Sequence, residues 1–367
     1  MELQRLAIVG TGLIGASVAL AAKRAEASPR VTGFDPDPVA LEAAHARGAI
    51  DEPAESLEAA LADAELAVVA APVAQLAAQV RAALEASPEG CTVTDVGSTK
   101  AAVCAAAGSS PRFVGGHPVC GSEAHGAAHA SAELFDGATW FLTPLAETDP
   151  ARYRLVHSFV SGLGATPVAV DPQAHDRLVA ITSHLPHALA NLLVNQAGAG
   201  KVEGYEPLAA AGGSLRDMTR VAGANPRIWV DIFLENAGPI RDSLAEHRRR
   251  VEQLEEALAS GDAGFLARWI GEAAGNRRRM LADAYPDAGE LQQLRVHVPD
   301  RPGVLAGITQ ALGAERINIE DFELHHVSPD RGGTLTLLVG GADEAERAAR
   351  LLEAQGYGVV VSAVLEE

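Results

Sequence analysis

The motif that most constrains the fold lies near the start of the chain, at residues 10–15, and reads GTGLIG. An apolar run, residues 6–9, precedes it, and a helix-like stretch, residues 16–24, follows it. In a G-x-G-x-x-G motif the first glycine permits a tight turn, the second lets the backbone approach a pyrophosphate, and the third lets helix and strand pack closely. The pattern predicts a dinucleotide site with the phosphates at the helix N-terminus.

The ends of the next predicted strands extend this site. Residues 31–34 form a strand that ends in Asp35, about 20 residues past the motif, where a carboxylate accepts hydrogen bonds from ribose hydroxyls. Because that carboxylate would repel a 2′-phosphate, we expect NAD rather than NADP as the cofactor. A further strand, residues 66–70, leads into two more candidate contacts. The expected cofactor-binding residues are Gly10, Thr11, Gly12, Leu13, Ile14, Gly15, Asp35, Ala71 and Pro72.

Strand and helix patterns alternate up to about residue 170, which predicts a doubly wound, Rossmann-type sheet. Ligands of such sheets bind beyond the carboxyl ends of the strands. Two motifs fall there, DVGSTK at residues 95–100 and GGHPVCGSE at residues 115–123. We expect the second motif to deliver His117 into the cleft, and Glu123 lies six residues beyond it, where a turn could bring it back. Ser98 is either a cap of the following helix or a cleft residue, and both roles stay open.

Composition excludes several classes of partner. The formal net charge of −19 argues against a nucleic acid or an anionic membrane, so specific arginines must hold any anionic ligand. No stretch offers about 18 uninterrupted apolar residues, and we expect a cytoplasmic protein. The three cysteines, at residues 91, 104 and 120, lack metal-site spacing, so we expect reduced thiols and no metal.

Residues 172–284 carry helical patterns only, which predicts an all-α middle domain. The extended apolar face of its first helix suits burial against a second subunit, so a homodimer is expected. His187, in SHLPH, either faces a ligand or is a buried structural histidine. Arg216 and Arg220 lie one turn apart, and a guanidinium binds a carboxylate with two aligned bonds, so the two arginines are a candidate carboxylate receptor. For Arg216, a structural salt bridge to Asp217 is the favoured role.

Five motifs together resemble the prephenate dehydrogenase family of tyrosine biosynthesis. They are GTGLIG, DVGSTK, GGHPVCGSE, SHLPH and SLRDMTRVAGANPRIWVDIFLEN, in this order, and the resemblance covers residues 1–285. It implies that Trp229, in the last motif, stands in the wall of the substrate pocket or at the subunit contact.

The resemblance also implies roles for the candidate site residues. His117 is the expected catalytic base beside the substrate hydroxyl, Ser98 orients that hydroxyl, and Arg220 receives a substrate carboxylate. Glu123 and His187 are placed in the pocket, where Glu123 either gates the pocket or supports it.

The C-terminal pattern changes after a short polar linker. Residues 294–364 are predicted as β-α-β-β-α-β, the ferredoxin-like order. The segments VPDRPGVLAGITQAL and INIEDFEL resemble an ACT domain, a module that binds amino acids in biosynthetic enzymes. The resemblance implies effector contacts at Asp300, Gly303 and Asn318, while a purely structural dimerisation role stays open.

The expected domains are residues 1–170 for NAD binding, 171–286 for substrate binding and dimerisation, and 291–367 for regulation. The expected activity is the oxidative decarboxylation of prephenate to 4-hydroxyphenylpyruvate with NAD, inhibited by tyrosine. Alternatives are arogenate or cyclohexadienyl dehydrogenase activity, and a non-catalytic sensor of NAD and amino acids. A 3-phosphoglycerate-type dehydrogenase also joins a dinucleotide domain to such a tail, but it would lack SHLPH and RDMTR.

Overall fold

The computed structural model describes residues 3–24, 28–120, 124, 126–284, 290–328 and 332–364. The chain divides into two compact units, Met1–Arg248 and Arg249–Glu367. None of the described helices combines the length and the apolar character that crossing a membrane requires.

The first unit is built on an eight-stranded sheet in the order β3-β2-β1-β4-β5-β6-β7-β8. Its strands are β1 (Arg5–Val9), β2 (Arg30–Phe34), β3 (Glu52–Pro53), β4 (Leu66–Val69), β5 (Thr92–Asp95), β6 (Phe113–Pro118), β7 (Thr139–Pro144) and β8 (Thr166–Ala169). The helices of this sheet domain are α1 (Leu13–Ala22), α2 (Pro38–Ala46), α3 (Leu57–Leu61), α4 (Val73–Ala86), α5 (Ala101–Ala107) and α6 (Pro150–Gly162). The expected Rossmann-type fold is confirmed.

Alternate residues of the central strands bury on opposite faces of the sheet. Leu6 and Ile8 of β1 join one hydrophobic cluster, whereas Ala7 and Val9 join the other. Side chains of a strand point to opposite faces in turn, so a strand with helices on both sides must be apolar throughout. This explains why β1 and β4 are short apolar runs without exposed positions after Arg5.

Strands β1 to β6 are parallel, but β7 pairs antiparallel with β6. Between these two strands the described residues contain one 3₁₀ turn, Ala127–His129, in place of a crossover helix. Two neighbouring parallel strands must be joined by a long crossover connection, usually a helix. Without a crossover helix, β7 can run antiparallel to β6. β8 then lies parallel to β7.

The helical part of the first unit follows β8. Its elements are α7 (Pro172–Val179), a π-helical turn (Ala180–His184), α8 (Leu185–Gly198), a 3₁₀ turn (Pro207–Ala210), α9 (Gly213–Thr219), a 3₁₀ turn (Arg220–Gly223), α10 (Pro226–Glu235) and the part of α11 (Ala237–Ser260) up to Arg248. The sequence predicts one helix over residues 172–194; the structure interrupts it with the π turn just before Pro186. Proline has no amide hydrogen and cannot make the hydrogen bond that continues a helix. The π turn accordingly precedes Pro186, which lies in the first turn of α8.

The second unit contains α12 (Ala263–Ala284), β9 (Leu291–Val298), α13 (Val304–Ala314), β10 (Asp321–Ser328), β11 (Gly332–Gly340), α14 (Ala342–Ala354) and β12 (Gly358–Ala363). Its four strands form an antiparallel sheet in the order β10-β11-β9-β12. Apolar residues of β9 and β11 pack against α13 and α14, with Leu294 and Leu312 fully buried. The predicted β-α-β-β-α-β order is confirmed.

Candidate active site

The glycine loop between β1 and α1 has the crowding that the motif predicts. Gly10 has φ +96°, and a Cβ there would collide with the backbone of Ala70. A Cβ on Gly15 would collide with the carbonyl of Gly10, whereas a Cβ on Gly12 would meet nothing within 4 Å. The first and third glycines are therefore required by packing, and the open space beside Gly12 is where a ligand can approach the backbone.

Asp35, at the carboxyl end of β2, braces this loop. Its Oδ2 accepts a hydrogen bond from the Thr11 backbone N–H at 2.8 Å, and its Oδ1 accepts one from the Asp37 N–H at 2.9 Å. The Thr11 hydroxyl lies 3.3 Å from the same Oδ2. An ionised carboxylate has about four acceptor sites, so Asp35 keeps acceptor capacity for a ligand hydroxyl.

Ala71 and Pro72 follow β4, beside the glycine loop. Ala71 is half-buried, while Pro72 is exposed and precedes the first residue of α4. Because β1 and β4 are neighbouring parallel strands, the carboxyl ends of both face the same edge of the sheet. The structure thus brings together the expected cofactor contacts from three strand ends.

His117 lies near the carboxyl end of β6 and is half-buried. Its Nδ1 is 2.9 Å from Nε2 of His175, a residue of α7 that is fully buried. Desolvation lowers the pKa of His117 well below its ordinary value, and positive charge on His175, Lys100 or His184 lowers it further. Near neutral pH the ring is therefore uncharged and is able to accept a proton.

Asp176 stands behind His175. Its Oδ1 accepts from His175 Nδ1 at 2.8 Å and from the Lys100 backbone N–H at 2.7 Å, and its Oδ2 accepts from the Ala101 N–H at 2.8 Å. Burial alone would raise the pKa of Asp176, but the bonds from His175 and the two backbone N–H groups outweigh it and hold that pKa below its ordinary value. The group is thus an ionised acceptor that fixes the His175 ring.

A buried ion pair holds the backbone of Gly116, the residue before His117. The side chains of Asp95 and Lys100 are both fully buried and contact each other directly. Asp95 Oδ1 accepts from the Gly116 N–H at 3.0 Å, and Lys100 Nζ donates to the Gly116 carbonyl at 2.7 Å. Sequence reasoning singled out the DVGSTK motif but gave these two residues no role. The signal was present, because an aspartate at the end of a central strand needs a partner when buried, and Lys100 follows it in the same motif.

Ser98 lies between β5 and α5 and is half-buried. The residue at the N-cap of α5 is Lys100, without a side-chain capping bond, so the capping role left open for Ser98 is not observed. Within the part of the chain that the structure describes, the Ser98 hydroxyl has no hydrogen-bond partner. Ser98 comes shortly after β5, whose last residue, Asp95, belongs to the ion pair that holds Gly116.

His187 stacks on Trp229, with ring centroids 3.5 Å apart and planes 25° from parallel. Its Nδ1 lies 3.0 Å from the Ser183 carbonyl, which can only accept, so Nδ1 carries the hydrogen and Nε2 is left as an acceptor. Desolvation lowers the pKa of His187; the Ser183 bond opposes this, and the nearby charge of Arg220 adds to the lowering.

Arg220 begins the 3₁₀ turn after α9 and is exposed. Among the described residues no carboxylate lies within ion-pairing distance of the Arg220 guanidinium. The salt bridge between Arg216 and Asp217 that the sequence favours is not observed in the described part of the chain either. An unpaired cation beside the His187 and Trp229 rings is suited to an anionic ligand.

His184, fully buried beside this group, is held by Asn236. The Asn236 Nδ2 lies 3.0 Å from His184 Nδ1 and donates to the Asp176 backbone carbonyl at 2.8 Å. Because an amide nitrogen only donates, His184 Nδ1 must accept, which requires a neutral ring. Desolvation accordingly lowers the pKa of His184 to about 4.

The remaining sequence predictions fall elsewhere. Glu123 lies outside the described residues. Gly303, in the second unit, precedes α13 with φ +90°, a backbone conformation that favours glycine. Asp300 and Asn318 are exposed near the same turn and before β10, and Asn318 donates to Glu320 at 2.8 Å. The three cysteines are free thiols, and burial raises the pKa of each to about 11.

Comparison with known proteins supplies three matches to family models. Residues 18–169 match the prephenate dehydrogenase nucleotide-binding domain, residues 171–272 the prephenate dehydrogenase dimerization domain, and residues 292–356 the ACT domain. A prephenate dehydrogenase of Bacillus subtilis is 34% identical over 95% of this chain and 95% of its own length.

Two solved structures are also similar. The prephenate dehydrogenase of A. aeolicus in complex with hydroxyphenyl propionate and NAD+ is 28% identical, with a TM-score of 0.71 over 76% of this chain and 99% of that chain. The Synechocystis arogenate dehydrogenase is 29% identical, with a TM-score of 0.69 over 76% of this chain and 100% of that one.

Proposed function

The chain belongs to the prephenate dehydrogenase family, and from this we propose that it converts prephenate to 4-hydroxyphenylpyruvate with NAD as oxidant. The ring carbon that bears the hydroxyl loses a hydride to the nicotinamide, and the hydroxyl loses its proton. Loss of carbon dioxide then makes the ring aromatic, and the ring oxygen takes a proton back to give the phenol of the product. The observation that carries the proposal is His117, a neutral histidine with one ring nitrogen tied to His175, at the sheet edge that also bears the glycine loop.

NAD fits the residues present at the first strand ends. The loop of residues 10–15 leaves open space beside Gly12 for the pyrophosphate, and Asp35 keeps acceptor capacity for a ribose hydroxyl. A negative charge at that position disfavours the 2′-phosphate of NADP. Bound NAD supplies the hydride acceptor, and a related structure was solved with NAD+.

His117 is proposed as the general base. Its pKa lies well below the ordinary value of 6.5, so the ring is free to take the hydroxyl proton as the hydride leaves. Proton transfer by a positioned group of this kind contributes roughly 10²- to 10⁴-fold in rate. Ser98, whose hydroxyl is unengaged in the described part of the chain, is proposed to orient the substrate hydroxyl towards His117.

Arg220 is proposed to receive a substrate carboxylate, with His187 and Glu123 as further pocket residues. The exposed, unpaired guanidinium beside the stack of His187 on Trp229 supports this role. A charge-assisted hydrogen bond of this type has a net value of about 1.5 to 3 kcal/mol. Glu123 is proposed to gate the pocket or to support it.

Prephenate is proposed as the preferred substrate over arogenate, which carries an amino group where prephenate carries a keto group. Relatives bear both names. Initial rates with each substrate, each with NAD and with NADP, test this. Faster NADH formation from prephenate supports the proposal, equal rates indicate a cyclohexadienyl dehydrogenase, and no reduction of either cofactor would favour a non-catalytic sensor.

Tyrosine is proposed as a feedback inhibitor that acts through the ACT domain. The turn before α13, with Gly303 at φ +90°, exposes the first N–H groups of the helix to a carboxylate, and Asp300 offers a partner for an ammonium group. Asn318 is proposed as a third contact. In the full chain, Asp300→Asn should weaken inhibition by tyrosine while leaving the uninhibited rate unchanged; unchanged inhibition would place tyrosine elsewhere.

A homodimer is proposed, together with the three domain boundaries expected from the sequence. Large apolar side chains are exposed on the helices after β8, including Ile181, Leu192 and Leu234, each at least 60% exposed. The matched family domain of this region is described as a dimerization domain. Sedimentation equilibrium measures the assembly: twice the chain mass supports the proposal and a monomer refutes it.

A further inference from the structure

We propose that His175 and Asp176 are positioning residues that fix the tautomer of His117 and stabilise the positive charge that His117 acquires in the reaction. This inference rests on the proposed function, because it concerns the residue assigned as general base. Asp176, His175 and His117 form a continuous chain of hydrogen-bonding atoms, and the direction of each bond in that chain follows from the chemistry of its first member.

The direction begins at Asp176. An ionised carboxylate only accepts, so His175 Nδ1, 2.8 Å from Asp176 Oδ1, carries the hydrogen. In the neutral ring Nε2 of His175 is then a lone-pair acceptor. It lies 2.9 Å from Nδ1 of His117, which must therefore donate. The remaining nitrogen of His117, Nε2, is left without a hydrogen and is the atom that accepts the substrate proton.

Asp176 is held rigidly enough to impose this direction. Its two carboxylate oxygens accept the backbone N–H groups of Lys100 and Ala101, 2.7 and 2.8 Å away, and its own carbonyl accepts from the Asn236 amide. Its pKa is lowered, which keeps it ionised and acceptor-only near neutral pH. The same contacts tie α7 to the loop that bears Ser98. His175 and Asp176 therefore also fix the position of His117 relative to Ser98, the residue proposed to orient the substrate hydroxyl.

The network has a defined role during the reaction. When the substrate carbon loses a hydride to NAD, its O–H bond breaks, a C=O bond forms, and the proton moves to Nε2 of His117. The imidazolium keeps its Nδ1–H bond to His175, and His175 keeps its bond to Asp176, so the ionised carboxylate stabilises the new charge through the intervening ring. No proton passes to Asp176.

Other charged groups face His117 and must be counted in its pH dependence. Lys100, paired with Asp95, approaches from the β5–α5 connection, and His184 approaches from the π-helical turn. Positive charge on Lys100 or His184 opposes protonation of His117. The negative charge of Asp176, acting through the His175 ring, favours that protonation.

The kinetic test uses three single variants of the full chain. His175→Leu removes the acceptor for His117 Nδ1, His175→Gln offers an amide oxygen in its place, and His157→Leu, an exposed histidine of α6, is the matched control. We expect His175→Leu to lower kcat roughly 10- to 100-fold with little change in KM, since loss of a group that fixes a histidine tautomer acts on the chemical step. The glutamine variant should recover much of the loss, and the acidic limb of its pH profile should lie between those of the native and leucine enzymes.

The structural test reads the tautomer directly and needs no turnover. Native protein with ¹⁵N-labelled histidine, with His117→Asn to assign the signals, should show His117 protonated on Nδ1 at neutral pH. A signal from the Nε2-protonated form would overturn the proposal, as would native kcat and an unchanged pH profile in a folded His175→Leu enzyme. If that variant does not fold, the glutamine variant and the native tautomer decide. A native protein without NADH formation would refute the proposed function and leave the tautomer result valid.

Discussion

Lys100 Nζ donates a hydrogen bond to the carbonyl of Gly116 at 2.7 Å, so a fully buried ammonium group fixes the residue that precedes His117. Asp95 Oδ1 accepts a hydrogen bond from the N–H of the same residue, Gly116, at 3.0 Å, and Asp95 pairs with the lysine. The backbone of Gly116, near the end of β6, is thereby clamped at both its N–H and its carbonyl, and this clamp positions the imidazole of the next residue.

Removing the cation of this clamp should be costly. Lys100→Met leaves the buried carboxylate of Asp95 unpaired, and breaking a buried pair in this way costs about 3 to 5 kcal/mol of unfolding free energy. Lys201→Met is the control, because Lys201 pairs with Glu206 on the surface with both side chains more than 60% exposed, where such a pair is worth about 0 to 1 kcal/mol. Urea unfolding of both variants measures the difference, and equal small losses would contradict the proposed importance of the clamp.

The pH dependence of catalysis should report His117. Protonation of the base abolishes activity, and its pKa lies well below 6.5, so kcat/KM should stay level as pH falls through 6.5 and decline only in more acid solution. The measurement is kcat/KM against pH with saturating NAD. A decline centred at or above the ordinary histidine value would show that the free enzyme does not hold His117 in a desolvated state.

His184 should contribute to acid destabilisation. The unfolded chain binds a proton at this residue near pH 6.5, whereas the folded chain binds it only near pH 4, so stability falls as pH falls between these values. The full loss is about 3 kcal/mol, since one pKa unit corresponds to about 1.4 kcal/mol.

Comparing urea unfolding of native protein and His184→Asn at neutral and at acid pH isolates this contribution, since His117 titrates in both. The native protein should lose stability more steeply than the variant on acidification. Parallel losses would mean that His184 is charged, or accessible to water, in the folded state.

Asp35 should govern the choice between NAD and NADP. Asp35→Asn removes the charge that repels a 2′-phosphate and weakens the brace on Thr11, so KM for NAD should rise by about tenfold and the preference over NADP should narrow. Asp37→Asn, two residues on at the N-cap of α2, is the control and should leave cofactor preference unchanged. Steady-state kinetics with both cofactors decide, and an undiminished preference in Asp35→Asn would refute the assignment.

The two proposed substrate contacts should separate kinetically. His117→Asn removes the base and should lower kcat with little effect on KM, whereas Arg220→Gln removes a carboxylate receptor and should mainly raise KM for prephenate, by roughly 10- to 100-fold. Arg216→Gln, one turn earlier on α9, is the control for loss of a surface charge. Equal effects of the His117 and Arg220 variants on KM alone would refute both roles.

Local patterns in the sequence predict most of the fold. The apolar run before GTGLIG, the acidic end of β2 and the alternation up to residue 170 define the Rossmann-type sheet because they depend on neighbours in the chain. The antiparallel return of β7 and the π turn before Pro186 are not predicted. Each depends on how the chain is connected or packed beyond the local pattern.

The site divides in the same way. His117 stands out from the glycines and the proline around it, whereas its partner His175 lies 58 residues further on, and Asp176 lies 76 residues from Lys100. A buried network of this kind is specified by tertiary packing, and no spacing in a single sequence reveals it. His175 and Asp176 sit in an ordinary helical stretch, where they look like surface polar residues.

The most direct test of the proposed activity is the product balance of the native full chain with prephenate and NAD. NADH, carbon dioxide and 4-hydroxyphenylpyruvate are measured in the same reaction. The proposal predicts that the three appear in equimolar amounts and that His117→Asn suppresses all of them together. NADH without carbon dioxide, or no NADH from prephenate, would contradict it.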